Sequence, residues 1–98
     1  MALMRVDLHP EAVAEASAAY EWYRERSAAA AEGFASELEH ALARILEAPA
    51  GWSPHLHGTR RHVMRHYPYQ VVYRVREDAI EVVAVAHCRR KPGYWRHR

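Results

Sequence analysis

The sequence predicts an α+β fold in the order βααβββ, an N-terminal helical hairpin packed on a twisted antiparallel sheet. Three observations carry that expectation: two helix-spaced apolar stripes in the first half, a proline- and glycine-rich break over 48–59, and strand-like alternation through most of 67–87. At 98 residues the chain is expected to form a single domain over 1–98, near the size at which one core suffices.

Residues 4–8, MRVDL, alternate as a short strand that His9-Pro10 ends. Pro10 suits a first helical turn, where its missing N–H leaves no bond unmade. From Glu11 to Arg26 the apolar residues Val13, Ala16, Tyr20 and Tyr23 recur at helical spacing. Glu11 and Glu15 early, and Arg24 and Arg26 late, agree with the helix dipole. A second stripe over 28–48 runs through Phe34, Leu38, Ala41 and Ile45, widened by Leu42 and Leu46, with Ser27 as its N-cap. Gly33 within it costs about 1 kcal/mol relative to alanine.

Strands follow at 60–66, 69–76 and 79–87. With Glu77-Asp78 as a two-residue turn, Val75 faces Ile80, Tyr73 faces Val82, Val71 faces Ala84 and Tyr69 faces Ala86, all on one apolar face. On the reverse face Arg74 meets Glu81 and Val72 meets Val83. This register puts His87 with Gln70, Arg74 and Glu81, turned away from the helices. Over 60–66, Arg61, Val63 and Arg65 share one face and His62, Met64 and His66 the other, and alternation does not choose the inner one.

Charge is unevenly distributed. Residues 1–50 carry four arginines against nine acids, and residues 51–98 carry ten cations against three acids. The C-terminal half can thus present a basic face to a polyanion or an acidic protein, or merely a solvated surface. No run reaches the roughly 18–20 apolar residues of a membrane span, and the N-terminus lacks the regions of a signal peptide. The single cysteine, Cys88, asks for no oxidising compartment. A cytoplasmic protein without membrane association is expected. His55 with His57, and His62 with His66, lack metal-site spacing, so neither metal nor cofactor is expected.

The segment RHYPYQVVYRVREDAIEVVAVAHCRRKPGYW, residues 65–95, resembles the C-terminal sheet of the RelE/ParE superfamily, the toxins of type II toxin–antitoxin modules. The resemblance implies an acidic antitoxin as partner in a hetero-oligomer. RelE-like members cleave messenger RNA on the ribosome without a metal; ParE-like members inhibit DNA gyrase. In the first case the ribose 2′-hydroxyl attacks the adjacent phosphate, which calls for a proton carrier, cations and an aromatic group.

Carried onto this chain, the resemblance makes His87, Arg90 and Tyr94 the catalytic candidates. It makes Arg61, Arg65, Arg74, Arg89 and Lys91 the nucleic-acid-binding ones. Tyr94 falls on the C-terminal tyrosine of the nucleases and Arg61 on a basic strand position. Gln70 and Cys88 stand where arginines are usual, which favours the gyrase alternative. His87 at the reference pKa of about 6.5 suits proton transfer and favours the nuclease, the expected activity. A degenerate toxin that acts only through complex formation is a third expectation.

Each candidate also has a plainer role. His87 can bond a loop, and the cations can be a solvated tail or, at Arg61 and Arg65, blunt a sheet edge. Tyr94 and Trp95 can cap the core. Cys88 reads as an inert thiol, and Tyr20, Trp22 and Tyr23 as helix packing.

Overall fold

The computed structural model describes residues 4–98. In chain order the elements are β1 (Arg5–Leu8), α1 (Pro10–Arg24), α2 (Ala28–Glu47), β2 (Ser53–Pro54), a 3-10 turn at Leu56–Gly58, β3 (Arg60–Val63), β4 (Tyr69–Val75) and β5 (Ala79–His87). The helical hairpin covers one face of the sheet, as the α+β reading expects.

The helix caps follow local chemistry. His9 Nδ1 accepts the Glu11 N–H at 3.1 Å with Pro10 next in the chain, and Ser27 Oγ accepts the Ala30 N–H at 3.1 Å. On α1 the buried positions are Ala12 and Ala19, whereas Val13, expected in the apolar stripe, is 47% exposed and lies off the buried face. The small alanines let α1 approach β5 closely, and that approach decides its rotation. On α2, Phe34, Ala41 and Ile45 are buried with Leu38 and Leu42 beside them, while Leu46 faces out. Tyr23, Phe34, Tyr67 and Tyr69 form an aromatic cluster between hairpin and sheet, with ring centroids 5.0 Å apart for Tyr23–Tyr67 and 5.4 Å for Phe34–Tyr69.

The strand order is β1-β5-β4-β3-β2, and β1 runs parallel to β5, so the sheet is mixed rather than wholly antiparallel. A lone alternating segment carries no directional information; the long crossover through both helices and the other strands permits the parallel pairing. The short β2 pairs with β3 inside the segment expected to be loop. β3 ends at Val63, earlier than expected, because the chain bends toward α2 over the next residues. His62 pairs with Val71 and is buried on the helix side, which leaves Arg61, paired with Val72, on the far side.

The β4–β5 hairpin closes across Glu77-Asp78 as expected, Arg76 and Ala79 exchanging backbone bonds of 2.7 and 3.4 Å. Val75–Ile80, Arg74–Glu81 and Tyr73–Val82 pair in the expected register. A bulge at Val83 then shifts every later pair by one: Val72 meets Ala84, Val71 meets Val85 and Tyr69 meets His87. The expectation that His87 lies on the face away from the helices is thereby overturned. The bulge keeps Val82 and Val85 both in the helix-side core and turns Val83, Ala84 and Ala86 to a second apolar layer under Trp95, which is 3% exposed.

Candidate functional site

β1 stops opposite Val82, where the His9 N–H donates to the Val82 carbonyl at 2.9 Å. The rest of β5 therefore has no strand on that side, and its edge polar groups need other partners. Side chains supply them. Glu15, reaching down from α1, accepts the Val85 N–H at 3.0 Å, and Arg98 Nη1 donates to the Val83 carbonyl at 3.1 Å. The two side chains are ion-paired at 2.9 Å, so a glutamate and an arginine from opposite ends of the chain replace a strand.

Glu15 gathers more donors. Its side chain is 13% exposed, and it accepts from Tyr94 Oη at 2.6 Å and Arg90 Nη1 at 3.2 Å as well as from both Arg98 amino groups. The Arg90 guanidinium lies over the Tyr94 ring, 3.6 Å from its centroid. Burial, then the hydrogen bond to Glu15, pushes the Tyr94 phenol well above its ordinary range, so it stays protonated at neutral pH. A phenol so held positions the C-terminal segment and is a poor proton carrier.

The same segment borders a cleft of about 460 Å³ between α1 and β5, lined by Glu15, Trp22, Tyr23, Tyr69, His87 and Arg90 among others. His87 is half-buried at its wall, its ring edge-on to Tyr69 with centroids 5.1 Å apart, and its Nδ1 accepts the Arg89 N–H at 3.1 Å. Trp22 is 51% exposed beside the cleft, with the Arg26 guanidinium 3.6 Å from its ring centroid.

Of the residues singled out from sequence, His87, Arg90 and Tyr94 are thus neighbours around Glu15 and the cleft. None of the nucleic-acid candidates lines the cleft with His87 and Arg90. Arg61 lies on the opposite side of the sheet from His87. Arg65 sits on the β3–β4 connection facing α2. Arg74 pairs with Glu81 at 2.6 Å and donates to the Arg98 backbone oxygen at 2.7 Å. Arg89 is exposed, and Lys91 shares a shallow cleft of about 300 Å³ with His57, Tyr94, Arg96 and His97. Cys88 is exposed, and desolvation of its thiol raises the pKa while Arg61 lowers it.

Glu15 and Arg98 were not among the sequence candidates. The one signal was an acid, Glu15, set directly beside a helix's apolar stripe, a position that burial tolerates only with strong partners. Among the described residues there is no cluster suited to a metal ion, and no helix is long and apolar enough to cross a membrane.

Residues 6–92 match the family model described as the ParE toxin of the type II toxin–antitoxin system, parDE. Among solved structures the chain is similar to one described as the chromosomal ParDE TA system from P. aeruginosa, with 17% identity and a TM-score of 0.76, covering 87% of this chain and 96% of that one. That likeness is one of fold. No curated protein matches at a significant level.

Proposed function

Because the chain belongs to the ParE toxin family of type II toxin–antitoxin systems, we propose that it is the toxin of such a module and acts in the cytoplasm by binding and inhibiting DNA gyrase, with no chemistry of its own. The observation that carries this reading is the separation of the groups that RNA cleavage would need. His87 lies on the helix side of the sheet and Arg61 on the far side. The Tyr94 hydroxyl and Arg90 are both engaged by Glu15. A cleavage site needs its acid, base and cations on one phosphate at hydrogen-bond distance.

The partner in this reading is an acidic antitoxin. Apolar side chains of that antitoxin enter the cleft between α1 and β5 beside the half-exposed Trp22, and its carboxylates meet the exposed Arg89 and Lys91.

The test is induction of the protein without its antitoxin, with transcripts, DNA-damage signalling and supercoiling by purified gyrase all followed. Damage signalling, intact transcripts and blocked supercoiling are expected. Cut transcripts that depend on His87, lost in His87→Ala, would overturn the proposal in favour of ribosome-dependent RNA cleavage. No effect on growth would mark a chain that acts only through complex formation.

A further inference from the structure

On the other side of the helical hairpin, α2 and the β3–β4 connection enclose a second concavity of about 300 Å³. Ser36, His40 and Arg44 line it at four-residue spacing, one above the other on α2. The facing wall carries His62 and Arg65. Its shape is held by Glu37, whose carboxylate accepts the backbone N–H groups of Arg65 and His66 and bonds His66 Nδ1 at 2.7 Å. Those donors, after the opposing effect of burial, hold the Glu37 carboxyl below its usual range. The carboxylate is thus occupied by the wall it anchors.

The remaining groups lack partners. His62 is only 7% exposed, yet its Nδ1 has no hydrogen-bond partner. Among the described residues neither Arg44 nor Arg65 has a carboxylate within ion-pair distance. Two guanidinium groups on opposing walls, a buried imidazole and a hydroxyl line one small space. Buried polar atoms in folded proteins are almost always satisfied, so an orphaned nitrogen on a side chain that lines a concavity together with two arginines and a serine points to a ligand.

We propose that this concavity binds a phosphate group, with Arg44 and Arg65 pairing with its oxygens and Ser36, His40 and His62 completing the hydrogen bonds. Donors that approach from two walls suit a tetrahedral oxyanion, whose oxygens point in all directions; a planar carboxylate offers a guanidinium only one edge. The volume, at the small end of ligand sites, admits a phosphate with a short attachment. The site lies away from the Glu15 cluster, and the inference does not rest on what the toxin inhibits.

The test is an ¹H–¹⁵N NMR titration at constant ionic strength with three probes: inorganic phosphate, a nucleoside 5′-monophosphate and a dinucleoside phosphodiester. Saturable shifts at the amides of Ser36, Glu37, Arg65 and His66 are expected. They should weaken by about tenfold or more in Arg44→Gln/Arg65→Gln, which removes two charge-assisted contacts. Both guanidinium groups are exposed, so that variant keeps the wild-type spectrum elsewhere. The control Arg24→Gln/Arg26→Gln titrates like wild type. Tighter binding of phosphate or monoester identifies a free phosphate compound as the ligand, and equal or tighter binding of the phosphodiester identifies a nucleic-acid backbone. The proposal is overturned by the absence of saturable shifts with all three probes, by shifts confined to residues 89–98, or by a double variant that titrates unchanged.

Discussion

Glu15 is the residue on which the C-terminal geometry turns. Its carboxylate satisfies the Val85 N–H at the uncovered edge of β5 while it holds Tyr94, Arg90 and Arg98. Glu15→Ala leaves a backbone donor and the Arg98 charge poorly compensated. Unfolding in urea should show a loss of about 2–3 kcal/mol, in line with hydrogen bonds to charged groups. The half-exposed Arg90 contributes little to that sum. Glu15→Gln, which keeps the bond from Val85, should fall between the two, and an alanine variant as stable as wild type would dismiss the strand-replacement role. His62 gives a second prediction. Burial lowers its pKa below the ordinary 6.5, its own backbone opposes that shift, and the charge of Arg44 adds to it against a smaller raising effect of Glu37, while the Trp52 ring packs 4.3 Å away. The unfolded chain therefore takes up a proton below about 6.5 that the folded protein refuses. Stability should fall as pH drops from 7.5 to 5.5, and His62→Phe should flatten that part of the profile in urea unfolding. Neither partnership was legible in the sequence. Glu15 and Arg98 stand at opposite ends of the chain, and His62 alternates as well inward as outward.

Among the elements, the helices were the most legible and the sheet the least. Ser27 caps α2 because its hydroxyl reaches a neighbouring amide, and Pro10 opens α1 for an equally local reason. Gly33 shows where local reasoning stops. Inside α2 a glycine reads as a cost, but a β-carbon there would collide with the Tyr67 hydroxyl, which donates to the Ala30 carbonyl at 2.8 Å. Gly33→Ala should therefore forfeit the usual helix gain of about 1 kcal/mol and lower the melting temperature, because Tyr67 is wedged between Tyr23 and Phe34. Gly33→Ala/Tyr67→Phe removes the colliding hydroxyl and should melt above the single variant. A single variant more stable than wild type would show that Tyr67 moves aside freely. In the hairpin, Arg74–Glu81 was foreseeable as an opposite-charge pair near the turn. The bulge at Val83 was not, since the run VVAVA is apolar in either register.

At the scale of the molecule, the charge segregation along the sequence survives in part. Arg90 and Arg98 are drawn to Glu15 and Arg5 to Asp78, while Arg61, Arg89 and Lys91 remain exposed on the C-terminal side. An acidic antitoxin should therefore be steered in, and its association rate, followed by stopped-flow fluorescence, should fall at least about tenfold from low to high salt. A rate insensitive to salt would remove charge from the recognition. The amino-acid sequence by itself determined the order of the two helices and the four longer strands, the helix caps, the Glu77-Asp78 turn and the resemblance to the toxin superfamily, because each is written in neighbours a few residues apart. Only the tertiary structure decided that β1 lies parallel to β5, that His87 turns toward the helices and that Glu15 holds the far end of the chain. Those outcomes depend on which distant surfaces meet once alanine-lined α1 settles on the sheet, and no spacing along the chain encodes that.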